Sequence, residues 1–339
     1  MRGEFVDAPL DELHDAAPIL ADVLGSVPAG LDALVAVVIG GCVEYGADPA
    51  SCAEPILFRA QLAVEQAVEF CHRWPVDERG DYPEPVGEEA PSRLYAALGG
   101  LEDPSTRAAV LGWWSIPTWT PAVAAVLGNK EIRKVVLPRP EFLEIARQVL
   151  EFSGAAKFLA RALAVLDDED LVVVHRASRE GFEFTMSGIA DNFQLHTLLA
   201  ERLVTPGHLP GEPPSPEAVA ACLGRSPEAP REYDGRSAFS LVTADGTRIW
   251  HEGAPIDIPV VGGARLLVLD PPSAEESWSA ARAFAAMPAE LVLDRRLSEA
   301  GVRHWMSRVS PPVDPSPSTT DNEPPKRHWW QRRGDAQTV

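Results

Sequence analysis

Between Pro55 and Trp74, apolar side chains recur at steps of three and four. Ile56, Ala60, Ala63, Val64, Ala67 and Cys71 share one face, and Gln61, Glu65 and His72 take the other. That period marks an amphipathic helix. Helical patterning extends back to Pro18, and Leu31 to Cys42, apolar at nearly every position, reads as a buried helix. A second helical stretch runs from Ser92 to about Asp167, interrupted around Trp113 to Pro121 by GWWSIPTWTP, whose prolines remove backbone donors. Its last helix carries Ala155, Phe158, Leu159, Ala162, Val165 and Leu166 as one stripe, with Lys157 and Arg161 as an exposed pair. Between the two stretches, PVDERGDYPEPVGEEAP at 75–91 reads as a loop or linker.

After residue 167 the period shortens to two. Leu171 to His175 is a continuous apolar run, and Phe182, Phe184 and Met186 alternate with Glu183, Thr185 and Ser187, which predicts a hairpin. Asp245-Gly246 suits a two-residue turn between Phe239–Thr243 and Arg248–Trp250. Arg265–Leu269 and Leu291–Leu293 extend the sheet, and Ser298 caps a last helix bearing Val302, Trp305, Met306 and Val309. The expected fold class is therefore α+β. An acidic helical region covers 1–91 and a second helical region 92–166; a mixed, mainly antiparallel strand and helix domain covers 167–309. Residues 310–339 are expected to be a disordered tail, because SPPVDPSPSTTDNEPP cannot bury enough apolar surface to offset its ordering entropy.

Charge narrows the function. The net charge is -20, and residues 1–110 hold twenty acidic and six basic side chains. Such a body repels polyphosphates, so a nucleic-acid partner is not expected. Lysine occurs only at Lys130, Lys134, Lys157 and Lys326, while Arg, Ala, Pro and Gly are plentiful, a bias of high-G+C bacterial coding. MRGEFVDAPLDELHDAA has carboxylates where an export signal needs a basic patch. The four cysteines lack CxxC spacing. A cytoplasmic protein with reduced thiols is the expectation.

The densest polar line is GIADNFQLHTLLAERLV, residues 188–204. Asp191 and Gln194 fit a helix-start pattern in which Asp191 accepts from the backbone near Gln194. Leu195, Leu198, Leu199 and Leu203 form the buried stripe, which leaves His196 as a boundary residue. A catalytic reading makes His196 a base with Asp191, His175 or Arg176 beside it in a cleft. Cys71-His72 cannot face each other on a helix, and Cys71 reads as an inert core thiol. The eight histidines show no metal-ligand spacing, and Asp167-Asp168-Glu169-Asp170 reads as a solvated turn, so neither a metal nor a cofactor is expected. Gly40-Gly41 has no phosphate-loop context and reads as a small-residue patch for close helix packing. No GxSxG elbow occurs.

Trp113, Trp114 and Trp119 could form a binding surface or a core. The chain's last stretch places Lys326, Arg327, Trp329, Trp330, Arg332 and Arg333 in one octet on an otherwise acidic protein. Such a motif suits weak peripheral contact with an anionic membrane, or docking in an acidic groove on a partner or on the chain's own N-terminal third.

ADNFQLHTLLAERL and LVLDPPSAEESWSAARAF resemble stretches of uncharacterised actinobacterial cytosolic proteins across the C-terminal half. That resemblance implies no activity. The leading functional expectation is a non-catalytic protein-interaction or scaffold protein with a polypeptide partner; the alternative is an enzyme with a site near Asp191–His196.

Overall fold

The computed structural model describes residues 9–75, 82–86, 89–135, 139–226, 229–272 and 276–311. The N-terminal half is helical: α1 (Leu10–Leu24), α2 (Leu31–Glu44), α3 (Ala53–Arg73), α4 (Ser92–Leu98), α5 (Pro104–Val126), α6 (Lys130–Val135), α7 (Arg139–Arg147) and α8 (Gly154–Leu163). α5 is the axis of this half, packed against α3, α2 and α8. Its start is fixed by Asp103, which accepts from the Ser105 and Thr106 N–H groups at 3.2 and 3.1 Å. Gly112 lets α3 come close: a Cβ there would stand 2.6 Å from the Ala63 carbonyl oxygen. Gly40 does the same for α2, where a Cβ would meet the Ala122 backbone at 3.1 Å.

Two expectations are corrected in this half. α5 runs unbroken through Trp113–Pro121. Trp113, Ile116 and Trp119 are fully buried there, and that burial outweighs the two backbone donors lost at Pro117 and Pro121. α2 is buried on one side only, since Leu31, Leu34 and Val38 remain exposed. The described part of the 75–91 stretch, 82–86, is a loop, as read, and it packs on the core. Tyr82 packs on Phe152 at 4.4 Å, and Trp113 Nε1 donates to the Pro83 carbonyl at 2.8 Å. Residues 76–81 and 87–88 of that linker lie outside the described residues.

The C-terminal half contains β1 (Glu169–His175), β2 (Glu180–Ser187), α9 (Asn192–Leu203), α10 (Pro216–Leu223), β3 (Glu232–Arg236), β4 (Ser240–Val242), β5 (Val260–Val261), β6 (Ala264–Asp270), β7 (Ser277–Ala281), β8 (Glu290–Arg296) and α11 (Glu299–Met306). The main sheet has the order β4-β6-β1-β2-β8, with β5 on β6, and β3 and β7 form a separate ribbon. All pairs are antiparallel except β1 with β6. Leu171 and Val173 join Leu195, Leu198 and Leu199 of α9 in one core, while Val172 and Val174 face α11 with Trp305 and Met306. Both faces of β1 are covered, which explains its unbroken apolar run. The hairpin expected over 239–250 shrinks to β4 and one bridge, Val242 to Arg248. The turn itself forms, with Gly246 at φ +94° and Gly246 N–H donating to the Thr243 carbonyl at 3.1 Å.

The halves are joined by the acid run at 167–170, where Asp168 and Asp170 are exposed, as a solvated turn requires, and Asp167 alone corrects that reading. Arg133 donates to both carboxylate oxygens of Asp167 at 2.6 Å, and the two side chains are 1% and 3% exposed. The same guanidinium donates to the Leu127 and Gly128 carbonyls at the end of α5, at 2.7 and 3.1 Å. Lys130 and Lys134 both pair with Asp168, and Arg265 pairs with Glu169.

Removing one partner of such a pair strands the other charge in the interior, which costs about 3–5 kcal/mol. Arg133→Leu is expected to destabilise by that amount in urea unfolding, and Arg133→Leu with Asp167→Leu is expected to recover most of it. Equal losses in the single and double variants would contradict the pairing.

Candidate functional site

α9 begins where the sequence places it. Asp191 is its N-cap and accepts from the Gln194 N–H at 2.9 Å. Gln194 turns back one residue further, accepting from the Ala190 N–H at 2.9 Å and donating to the Cys222 carbonyl at 2.6 Å. Asp191 is 5% exposed and stands 3.7 Å from Arg161. Burial pushes its carboxyl above the usual range, opposed by the Arg161 guanidinium and by the Gln194 and Phe193 N–H groups. The sequence pattern leaves Arg161 solvated on α8. Instead it reaches across to α9 and donates to the Glu252 carbonyl at 2.9 Å.

The turn at 250–253 sits on the start of α9. Asn192 N–H donates to the Gly253 carbonyl at 3.0 Å, Phe193 N–H to the His251 carbonyl at 3.2 Å, and Asn192 Nδ2 to the Trp250 carbonyl at 2.9 Å. These carbonyls satisfy donors that a helix start leaves open. They also bring His251 over the helix.

His196 is not a boundary residue: its side chain is fully buried. Its ring packs against Phe239 at 4.5 Å, Trp278 at 5.0 Å and His251 at 5.3 Å, and His251 packs against Trp278 at 4.7 Å. Nε2 lies 3.1 Å from the Phe239 carbonyl oxygen. A carbonyl only accepts, so Nε2 carries the ring hydrogen and Nδ1 presents a bare lone pair. Burial, with His251 adding to it, holds the imidazole down at about 3. The His251 ring is also held below the ordinary histidine value by burial.

A chamber of about 520 Å³ opens beside this cluster. Buried His196, Thr197 and Ala200 form its floor, and Trp278, Ser277, Ser279, Asp234 and Arg236 of the β3–β7 ribbon form its wall. Two buried side-chain atoms on its lining residues have no partner, His196 Nδ1 and Trp278 Nε1. Gly235 makes room for the indole, since a Cβ there would stand 2.2 Å from Trp278 Nε1. Below the floor, Cys222 hydrogen-bonds with Tyr233 and Thr197, and burial pushes its thiol up to about 12.

The other candidates lie elsewhere. His175 Nδ1 is 2.7 Å from Ser178 Oγ at the end of β1, and Arg176 donates to Asp270 and to the Ser310 carbonyl, both at 2.7 Å. The structure therefore does not gather His196, Asp191, His175 and Arg176 into one constellation. Trp113 and Trp119 are fully buried and Trp114 is 9% exposed, so the three belong to the core rather than to a contact surface. The octet of Lys326, Arg327, Trp329, Trp330, Arg332 and Arg333 lies outside the described residues. Cys71 is buried, and its thiol is pushed up to about 12.

A larger cleft of about 1120 Å³ lies between α5, α8 and residues 282–286. Its walls mix Glu84 and Glu151 with Arg225 and Arg231, all accessible to solvent, and with Arg282, whose Nε is likewise buried without a partner. Among the described residues, no three His, Cys, Asp or Glu side chains converge as metal ligands do. No described helix is long and apolar enough to cross a membrane. Comparison with protein-family models, with curated proteins and with solved structures finds no match.

The depressed His196 value gives a sign to acid stability. The unfolded chain protonates this ring near the ordinary value of about 6.5, whereas the folded chain takes the proton only near 3. His196 therefore adds no proton-linked penalty above about pH 6.5, and below it that penalty grows by roughly 1.4 kcal/mol per pH unit. Asp191, raised by burial, has the opposite sign. His196→Phe is expected to flatten the loss of stability between pH 7 and pH 5 in urea titrations; an unchanged slope would mean that the ring is not held neutral.

Proposed function

We propose that this protein is a non-catalytic binding protein whose ligand occupies the chamber beside His196. The observation that carries this reading is the pair of buried, unpartnered polar atoms, His196 Nδ1 and Trp278 Nε1, on residues lining one concavity. Each orphaned group costs about 1–3 kcal/mol, and because both atoms are sealed from solvent, a ligand recovers that cost only by opening the ring cluster toward the chamber. A chamber of about 520 Å³ falls in the range of small-molecule sites. Turnover is a poorer reading. A ring with a value of about 3 is too weakly basic to take a proton at neutral pH. The nearby thiol, Cys222, is neutral and already hydrogen-bonded. Fragment screening by ligand-observed NMR is expected to give binders that are recovered unchanged and are displaced by Ser279→Trp, which plugs the exposed mouth. Fragments consumed during incubation, or binding indifferent to that variant, would refute the reading.

A second reading keeps the polypeptide partner. Leu31, Leu34 and Val38 follow one another at steps of three and four on the outer face of α2 and are 56%, 54% and 36% exposed. An apolar helix face in contact with water marks an interaction surface. We propose that its occupant is this chain's own segment Lys326–Arg333. Two tryptophans fit the apolar stripe, and the cations suit a half whose first 110 residues carry twenty acidic and six basic side chains. A labelled peptide of residues 326–333, titrated into the chain ended at Pro311, is expected to bind, and Leu34→Asp is expected to weaken it at least tenfold. Binding to phosphatidylserine vesicles with none to the protein would overturn the docking.

A further inference from the structure

The rings beside the chamber are closed on one another. His196, His251 and Trp278 pack at centroid distances of 5.3, 5.0 and 4.7 Å, and each buries a nitrogen that has no partner. The binding reading proposed above, on which this inference rests, therefore needs the cluster to open. The fold supplies one movable part and one trigger.

The movable part is the β3–β7 ribbon. It forms a sheet of its own, and two strands alone have little stability. Its middle is held by Trp278, whose indole lies over Gly235 and against the His196, His251 and Phe193 rings. Tyr233 hydrogen-bonds with Cys222 and Thr197 beneath it, and Glu276, just before β7, pairs with Arg248. His251 is tied more firmly, because the Trp250, His251 and Gly253 carbonyls of its turn accept from the start of α9. When the cluster opens, the ribbon is the side that moves.

The trigger is the imidazole pair. The partner of His196 is the Phe239 carbonyl, not a carboxylate. Among the charged groups on the elements packed around it, Asp191 is engaged by Arg161, Asp234 is exposed on β3, and Arg236 pairs with Glu212. Glu276 and Glu252 favour a charged His251, while burial and Arg248 oppose it. A cation on either ring would stand 5.3 Å from the other imidazole in a low-dielectric interior. The closed cluster therefore keeps both rings neutral. Once the ribbon lifts, both reach water and take protons near the ordinary value of about 6.5. The pull toward the lifted state is absent above that pH and grows below it. With His196 held at about 3 while closed, its share alone multiplies the opening constant about 30-fold between pH 8 and pH 5. His251, also held down by burial, adds to this.

We propose that the β3–β7 ribbon is an acid-released cover on the chamber: protonation of His196 and His251 lifts Trp278 off α9 and opens the floor to a ligand.

Hydrogen exchange read by mass spectrometry on the full chain, with no ligand added, tests this. At pH 8 the amides of Asp234–Arg236 and Ser277–Ser279 are expected to be less protected than those of β1, and low urea is expected to lower the protection of β1 but not theirs. Between pH 8 and pH 5, after correction for intrinsic exchange, ribbon protection is expected to fall at least tenfold. In His196→Phe that fall is expected to shrink at least threefold. Should that variant fail to fold by circular dichroism, His251→Phe carries the comparison, with a smaller fall again expected. Ribbon protection equal to that of β1 at both pH values, ribbon protection indifferent to pH, or an undiminished fall in the folded variant would each overturn the release. If the ribbon releases while no fragment is displaced by Ser279→Trp, the cover stands and the binding reading falls. If such fragments bind and the ribbon ignores pH, the reverse holds.

Discussion

The two halves of this protein depend on one buried guanidinium. Arg133 grips both oxygens of Asp167 and also closes the last carbonyls of α5, so it ties the axis of the helical half to the residue that leads into β1. Neither side chain is accessible to water. Taking two ions out of water is costly, and the cost is offset only when every donor and acceptor is matched; here each nitrogen of the fork has an oxygen. A pairing that strict admits one seating of the halves. It is this seating that lets Arg161 of α8 reach the Asp191 cap and the Glu252 carbonyl, and so fixes the turn that carries His251.

Where a segment's own period decides its structure, the sequence was legible. α3, the β1–β2 hairpin, α11 and the Asp191 cap were readable because their determinants lie within a few residues. Where long-range packing decides, it was not. α5 crosses two prolines because its tryptophans are enclosed by other helices. β3 and β7, with sequences EYDGR and SWSAA, have little apolar alternation to announce them and exist by pairing with each other. The acid run looked solvated because its partners Arg133, Lys130 and Lys134 stand more than thirty residues upstream. The site was half legible. His196 stood out, yet what makes it unusual is supplied by Phe239, His251 and Trp278, none near it in sequence. The one local hint was Trp278 flanked by small residues, a pattern that suits an indole laid across a glycine on the neighbouring strand.

The His196 cluster is expensive to keep. Its imidazoles are held neutral by burial, and lone pairs and N–H groups are left open in a low-dielectric interior, where each is worth more than in water and costs more when unmatched. At the α9 start, by contrast, loop carbonyls take the helix's free donors. Two unmatched groups, His196 Nδ1 and Trp278 Nε1, sit on residues lining this chamber, whereas one, Arg282 Nε, sits on a residue lining the larger cleft at α5 and α8.

The parallel pairing of β1 with β6 has a consequence for biosynthesis. Leu171 aligns with Arg265, a separation of 94 residues, so the inner strand of the sheet emerges from the ribosome long before its neighbour exists. At about 5–20 residues per second, the nascent β1–β2 ribbon carries an open, Val-rich border for roughly 5–20 seconds. An unpaired border of that kind recruits other strands. The helical half and α9, which shares a core with β1, are both complete before that neighbour is made.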